Sequence, residues 1–311
     1  MAVCETQLWE LVRSIEPTQT QKDGAVRSQN YLREILNTGQ MAARIRKSYL
    51  SGSYARSTAI YPLDDVDIIF SIDPSFWPSS TSIFTESSGL PSPTTVLDSF
   101  ANAIRYRYPI SSVYGQRRSV RLQLYHLDID VVPAIQDENN TKLIRIPDSD
   151  TNQWIFSSPL RHSENATAVN RLQDGKFKPL VRLLKYWNGN LPSTAKFKSF
   201  AIETMAVRIF RSFKFGSLQE GLRLFFDFIV FASGNQAVFS WKDRYGISLG
   251  WLACSIPDAA ETGTNIVATI DEERRKRFVE NAIRSRNKMV ESFNAVSVET
   301  ACRRVYEALK V

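Results

Sequence analysis

The sequence predicts an α+β protein of two lobes, in which a mixed β-sheet lobe packs against a helical lobe. Strand patterns dominate the first half of the chain, at residues 66–72, 118–124 and 127–135. Helical patterns dominate from about residue 165 onward. We therefore expect a first lobe at 1–160, including N-terminal helices, and a second lobe at 161–311.

The first lobe is expected to begin with helices and continue with strands. Its predicted elements are helices at 5–15 and 24–47, a short strand in "KSYLSGS", a strand at 66–72, a Ser- and Pro-rich loop at 73–95, a helix at 95–107, a strand at 118–124 and a strand in "LDIDVVPAI". The last strand should end at Pro133 or soon after, because proline cannot donate to a sheet ladder.

The second lobe is expected to be mostly helical. Apolar residues recur at helical spacing at 176–188, 197–213, 217–232 and 270–294. Thr269 followed by Glu272 has the spacing of a capping box, which predicts the start of the last of these helices.

Composition excludes several classes of protein. No apolar run approaches the roughly 20 residues of a membrane span, and the first residues lack a secretory signal pattern. Three widely spaced cysteines, Cys4, Cys254 and Cys302, are typical of a reducing cytoplasm, where we expect the protein to act. With His126 and His162 as the only histidines, neither a His/Cys zinc site nor a Ser-His triad is expected.

The chain is basic, with a formal net charge of +7 and a pI near 9.3. This balance favours a polyanionic ligand such as a nucleotide or nucleic acid. A mildly basic solvated surface would have the same composition, so charge alone leaves both interpretations open.

The chemistry of the chain is concentrated in two Asp-x-Asp motifs. Residues i and i+2 of a strand share a face, so Asp65 and Asp67 project together, as do Asp128 and Asp130. Clustered carboxylates repel one another and attract Mg²⁺, and two metal ions about 4 Å apart serve in-line phosphoryl displacement. Each motif alone also fits a solvated strand end, which is how we interpret Asp64.

A Gly-Ser pair and a basic helix would complement these carboxylates. Gly52 permits close backbone approach, and Ser53 could hold a phosphate, although an ordinary turn has the same sequence. Lys178, Arg182 and Lys185 recur at i, i+4 and i+7 on one helix face, which is either a triphosphate contact or a solvated basic surface.

A second helix begins in "FKSFAIE". Ser199 lies near its N-terminus, where an anion is favoured. Phe200 follows directly and is either a core residue or a platform for base stacking.

Together these motifs resemble a known family. "GSYARSTAIYPLDDVDIIF" and "LDIDVVPA" are similar to the signature of the polymerase β-like nucleotidyltransferases. More narrowly, the chain resembles the cGAS/DncV-like nucleotidyltransferases (CD-NTases) of bacterial anti-phage (CBASS) signalling, with further likeness in "SSPLRHSENATAVN", "FKPLVRLLKYWN" and "FKSFAIE". The resemblance covers about residues 25 to 290.

The resemblance implies roles for residues of the first lobe. Asp65, Asp67 and Asp130 would be catalytic ligands of two Mg²⁺ ions, with Mn²⁺ able to replace them. Gly52 and Ser53 would hold the donor triphosphate.

It also implies roles in the second lobe. Lys185 and Ser199 would contact the β- and γ-phosphates, and Phe200 occupies the position of a base-stacking tyrosine in relatives. The zinc insertion of the related animal DNA sensor has no counterpart, so zinc-dependent DNA sensing is not expected.

The implied activity joins nucleoside triphosphates into a cyclic oligonucleotide messenger and releases pyrophosphate. ATP is the expected substrate, with GTP, UTP and CTP as further candidates, and a separate effector protein would read the product. Three alternatives remain open at this point: a linear oligoadenylate synthase, an enzyme that transfers AMP to a protein or RNA end, and a degenerate module that only binds nucleotide or RNA.

Overall fold

The computed structural model describes residues 4–78, 89–234, 247–249 and 254–310. The chain forms two compact units, one of residues 17–163 and one of residues 1–16 with 164–311. The division expected at residue 160 thus falls at 163/164, and the first 16 residues group with the C-terminal half. Within the described ranges, no helix is both long and apolar enough to cross a bilayer.

The helices of the described residues occur in both units. They are α1 (Glu5–Ser14), α2 (Gln19–Thr38), α3 (Gly52–Ala55), α4 (Pro93–Arg107), α5 (Pro159–Leu172), α6 (Phe177–Asn190), α7 (Ser199–Phe210), α8 (Leu218–Ala232), α9 (Glu272–Phe293) and α10 (Val298–Leu309).

One mixed sheet forms the centre of the 17–163 unit. Its strands are β1 (Ile45–Ser51), β2 (Asp65–Ile72), β3 (Ser112–Gly115), β4 (Val120–Gln123), β5 (Asp128–Gln136), β6 (Ile144–Asp148) and β7 (Gln153–Ser157). The strand order is β1-β2-β5-β4-β3, with β6 paired to β5 and β7. Strands β2 and β5 run parallel, and the other pairs are antiparallel. The predicted α+β class is confirmed.

Alternation along β2 separates the core from the candidate site. Val66, Ile68 and Phe70 are fully buried, and the Phe70 ring lies 5.8 Å from that of Phe100 on α4. Burying each such side chain is worth about 1.5–3 kcal/mol. Because this face is fixed in the core, the carboxylates at alternate positions lie on the opposite face.

The helical unit is centred on Trp187 of α6. Its ring lies 5.0 Å from Phe226 on α8 and 5.3 Å from Phe278 on α9. Its Nε1 donates a 2.9 Å hydrogen bond to Ser285 Oγ, so the polar atom of this buried ring is satisfied.

Helix α1 belongs to the helical unit because its apolar side chains lie in that core. Leu8 is fully buried there, and the Glu5 carboxylate accepts a 2.9 Å hydrogen bond from Leu218 N at the start of α8. Cys4 forms a disulfide with Cys302. No sequence feature indicated this pair, because its two cysteines are separated by 298 positions.

Several element boundaries differ from those predicted. The helix predicted at 24–47 begins at Gln19 and ends at Thr38, and residues 45–51 form β1 instead. Strand β5 continues through Pro133, where β4 has ended and β6 has not begun, so the missing N–H costs no ladder bond on that side. Helix α9 is capped by Asp271, whose side chain accepts from Arg274 N, and the predicted capping box is wrong.

The loop predicted at 73–95 lies partly outside the described residues. In the described part, residues 74–76 form a 3₁₀ turn and Pro93 begins α4. Strands β3, β6 and β7 and helices α3, α5 and α10 were not predicted. All but α5 and α10 are short, and short elements carry little periodic signal.

Candidate active site

The two Asp-x-Asp motifs lie side by side at the start of neighbouring strands. Because β2 and β5 pair in parallel, Asp65 is in register with Asp128 and Asp67 with Asp130. The fold therefore brings the three predicted ligands, Asp65, Asp67 and Asp130, together at the N-terminal ends of β2 and β5, although they come from two separate segments.

An arginine that sequence reasoning missed contacts this cluster. Arg121 on β4 is in register with Asp130, and its Nε and Nη2 donate to the two oxygens of that carboxylate at 2.8 and 2.7 Å. Its Nη1 lies 3.2 Å from Asp128 Oδ2, and its Nη2 lies 3.8 Å from Asp65 Oδ2. A charged residue within the predicted strand "RSVRLQL" was the available signal, but its partner depends on the register of β4 and β5.

Electrostatic repulsion within the cluster is strong. Burial, followed by the charges of Asp65 and Asp130, raises the pKa of Asp67 from 3.8 to about 7. Burial and Asp130 also raise the pKa of Asp65. Arg56 and Arg121 oppose the shift at Asp67 without cancelling it, so the site remains short of positive charge.

Gly52 lies against Asp67 and must be a glycine. Its φ of +69° is a left-handed conformation, and a Cβ atom at this position would overlap Asp67 Oδ2. Ser53 follows within α3, and its carbonyl accepts a 2.9 Å hydrogen bond from Thr58 N. Gly52 therefore lies beside the carboxylates, and phosphate binding by Gly52 and Ser53 stays a prediction.

The donor set has the chemistry of a divalent-cation site. Asp65, Asp67 and Asp130 offer hard oxygen ligands, and their mutual repulsion favours a cation between them. In the described part of the chain, no group of three or more Asp, Glu, His or Cys side chains is already arranged around a common metal position.

The predicted cations of α6 are paired with acidic residues. Lys185 is buried, with only 4% of its side chain exposed, and its Nζ lies 3.0 Å from Glu203 Oε2 on α7. Arg182 Nη1 lies 3.2 Å from Glu16 Oε2. Two cations of the predicted basic face are therefore paired with acidic residues from other segments of the chain. Spacing within one helix could not predict these partners.

Residues Lys178, Ser199 and Phe200 are more accessible. Lys178 is partly buried, and burial followed by the charge of Arg182 lowers its pKa. Ser199 is the first residue of α7 and is exposed, and Phe200 is half-buried beside it. Within the helical unit, α7 thus carries Ser199, Phe200 and the partner of Lys185.

A comparison with known protein families identifies the class to which this chain belongs. Residues 1–170 match the model of the Second Messenger Oligonucleotide or Dinucleotide Synthetase domain. The chain belongs to this family, and it is a nucleotidyltransferase that synthesises an oligonucleotide second messenger.

Two curated relatives align with most of the chain. A "Cyclic AMP-AMP-AMP synthase" from an Acinetobacter strain is 28% identical over 288 residues, covering 89% of this chain and 75% of the relative. A "CBASS oligonucleotide cyclase CdnC" from Escherichia coli is 25% identical over 256 residues, covering 78% of this chain and 75% of the relative. The resemblance to the CD-NTases stated from the motifs is thereby confirmed.

Solved structures support the fold over the whole chain. The E. coli MS115-1 CdnC structure with ATP superimposes with a TM-score of 0.73 at 21% identity, covering 100% of this chain and 99% of that one. The Vibrio cholerae DncV apo form gives a TM-score of 0.68 at 11% identity, covering 96% and 92%. At these identities the likeness concerns the fold alone.

Proposed function

We propose that this chain condenses ATP into a cyclic oligoadenylate with release of pyrophosphate, and that Asp65, Asp67 and Asp130 hold the catalytic metal ions. The observation that carries the proposal is the parallel register of the two Asp-x-Asp motifs beside Gly52. Relatives named cyclic AMP-AMP-AMP synthase in Acinetobacter and E. coli favour adenylates, although a Rhodothermus relative is named cyclic UMP-AMP synthase. The product would act in anti-phage signalling through a separate effector protein.

The three carboxylates would act as metal ligands, and their negative charge would favour a bound cation. Two Mg²⁺ ions, or Mn²⁺, would lower the pKa of the attacking hydroxyl and neutralise charge on the leaving pyrophosphate. Asp67, whose ionisation is opposed by burial and then by the charges of Asp65 and Asp130, would gain most from a bound cation. Gly52 keeps the backbone close to Asp67, and the adjacent Ser53 would contact a phosphate of the donor nucleotide.

Residues of the helical unit would bind the triphosphate and the base. Ser199 is exposed at the N-terminus of α7, where backbone N–H groups favour an anion. Phe200 would present its ring for base stacking, as a tyrosine does in relatives. Lys185 would contribute its charge to the β- and γ-phosphates, with Glu203 fixing the position of its ammonium group.

The same pocket would act more than once. A linear intermediate with a 5′-triphosphate can rebind so that its triphosphate occupies the donor site and its own hydroxyl becomes the acceptor. Holding both reacting groups on one molecule supplies much of the rate of ring closure.

The proposal is tested by incubating the protein with each labelled nucleoside triphosphate and Mg²⁺ or Mn²⁺, followed by phosphatase digestion and mass analysis. We expect an adenylate product that keeps all its phosphates, because each phosphate of a ring is a diester. Asp130→Asn is the matched inactive control.

Other products would identify the alternatives. Phosphatase-sensitive oligomers of increasing length would overturn cyclisation and indicate a linear synthase. Label transferred only to a protein or RNA would indicate an AMP transferase. Nucleotide binding without turnover, with and without added metal, would indicate a degenerate binding module.

A further inference from the structure

One guanidinium contacts three of the carboxylates that surround the candidate metal site. Arg121 forms two hydrogen bonds with Asp130, at 2.8 and 2.7 Å, and further contacts with Asp128 at 3.2 Å and Asp65 at 3.8 Å. The side chain of Asp130 is only 10% exposed, and that of Arg121 is 22% exposed. The Arg121–Asp130 pair is therefore mostly buried and joins the neighbouring strands β4 and β5.

The Arg121–Asp130 pair uses carboxylate lone pairs with which Asp130 could otherwise ligate a metal. A bidentate Arg–carboxylate fork uses one lone pair on each carboxylate oxygen, and here it uses both oxygens of Asp130. A positive charge a few ångströms from a divalent cation also repels it, most strongly where water is partly excluded. Arg121 thus weakens metal binding at Asp130, through its positive charge and through the lone pairs that it uses.

We propose that Arg121 is an internal counter-ion that stabilises the carboxylate cluster without metal and competes with the divalent cation for Asp130. The inference rests on the proposed function, because it requires Asp130 to be a metal ligand. Its consequence is that metal binds weakly to the enzyme alone. The metal binds more tightly with nucleotide, since the triphosphate adds negative charge and helps the cation to displace the guanidinium.

The test is titration of Mn²⁺ without nucleotide, followed by calorimetry or by the electron spin resonance signal of unbound Mn²⁺. Arg121→Gln removes both the charge and the fork, and we expect Mn²⁺ to bind about tenfold more tightly. Arg121→Lys keeps the charge but loses the fork, so its affinity should lie between those of the wild type and Arg121→Gln.

Arg118→Gln is the matched control for the lost charge. Arg118 contacts Asp148 outside the cluster at 3.4 Å, and Arg117 also contacts Asp148, at 2.8 Å. The control should therefore stay folded and bind Mn²⁺ as the wild type does.

Thermal unfolding in EDTA and in Mn²⁺ provides a second measurement. Without its counter-ion, the Arg121→Gln cluster is more repulsive, so Mn²⁺ should raise the melting temperature of this variant more than that of the wild type. This comparison also applies if Arg121→Gln is only partly folded in EDTA.

The outcomes separate this inference from the function on which it rests. Unchanged or weaker Mn²⁺ binding by Arg121→Gln, with a wild type that binds Mn²⁺ and an Asp130→Asn variant that does not, would overturn the counter-ion role and leave the metal site intact. Wild-type binding that Asp130→Asn does not weaken, or no wild-type binding with or without ATP, would overturn both.

Discussion

The two units differ in how their acidic side chains are neutralised. In the sheet unit, Asp65, Asp67 and Asp130 share a site in which the guanidinium of Arg121 contacts Asp65 and Asp130. In the helical unit, Lys185 and Glu203 form an ion pair at 3.0 Å, with 4% and 3% of their side chains exposed. Unmatched charge is costly without a ligand, whereas a matched buried pair is complete without one.

The carboxylate cluster and the Lys185–Glu203 pair also differ in the exposed fraction of their side chains. Asp65 leaves 45% of its side chain exposed, so a ligand can reach the carboxylate cluster. The Lys185–Glu203 pair has almost no exposed surface in its own unit. The sheet unit is therefore where we expect substitutions to affect chemistry most, and the helical pair is where we expect stability and substrate affinity to change together.

The largest effect is expected for Asp67→Asn, which removes a metal ligand and a charge from the unmatched cluster. Product formation should fall by at least about 100-fold, because stabilisation of the transition-state charge is lost. Circular dichroism should show an intact fold. A folded variant with near wild-type turnover would contradict the assignment of Asp67 as a ligand.

Gly52→Ala should act on the same cluster through the backbone. A Cβ atom would overlap Asp67 Oδ2, so we expect a loss of activity of about 10- to 100-fold and a stability cost of about 1–3 kcal/mol. Gly175→Ala is the matched control, because Gly175 also has a positive φ (+83°) but open space around its Cβ position. It should lose stability without losing activity, and equal activity losses in both variants would show that strain alone is responsible.

Local patterns predicted the carboxylate motifs but not their partners. Alternation in 66–72 and 127–135 placed Asp67 and Asp130 on strand faces, because a strand's two faces follow from adjacent residues. The contact of Arg121 with Asp130 depends on the register of two strands, and the contact of Lys185 with Glu203 on the packing of two helices. Such contacts between separate elements leave no periodic signal in the sequence.

Lys185→Ala should have an intermediate effect and should test whether the helical pair is only structural. We expect the apparent KM for ATP to rise about tenfold, more than in Lys178→Ala, as a charge-assisted hydrogen bond is lost. Stability should also fall by about 3–5 kcal/mol, because Glu203 remains buried without Lys185.

The double variant Lys185→Met/Glu203→Gln separates the two effects. It replaces the buried ions with neutral groups, so stability measured by urea unfolding should largely recover while KM stays high. A KM that recovers together with stability would show that Lys185 supports the fold and does not bind the triphosphate.

The last prediction concerns a pH dependence of stability that the carboxylate cluster should produce. The pKa of Asp67 is raised from 3.8 to about 7 in the folded protein, so folding favours its protonated form. In EDTA, the stabilisation is therefore complete below about pH 4 and is lost as pH rises through about 7, with a slope of at most about 1.4 kcal/mol per pH unit from this group. Urea unfolding at pH 5, 6, 7 and 8 measures it. Asp67→Asn should flatten most of the slope, leaving the part due to Asp64 and Asp65, whose pKa values are also raised. Mn²⁺ should remove the slope by favouring the ionised carboxylates.

Asp73→Asn is the matched control, since the pKa of Asp73 is lowered by Ser75 and Arg46 and its contribution to the stability is constant above pH 5. If Asp67→Asn leaves the wild-type slope unchanged, the pKa of Asp67 is not raised in the folded protein, and the prediction is wrong.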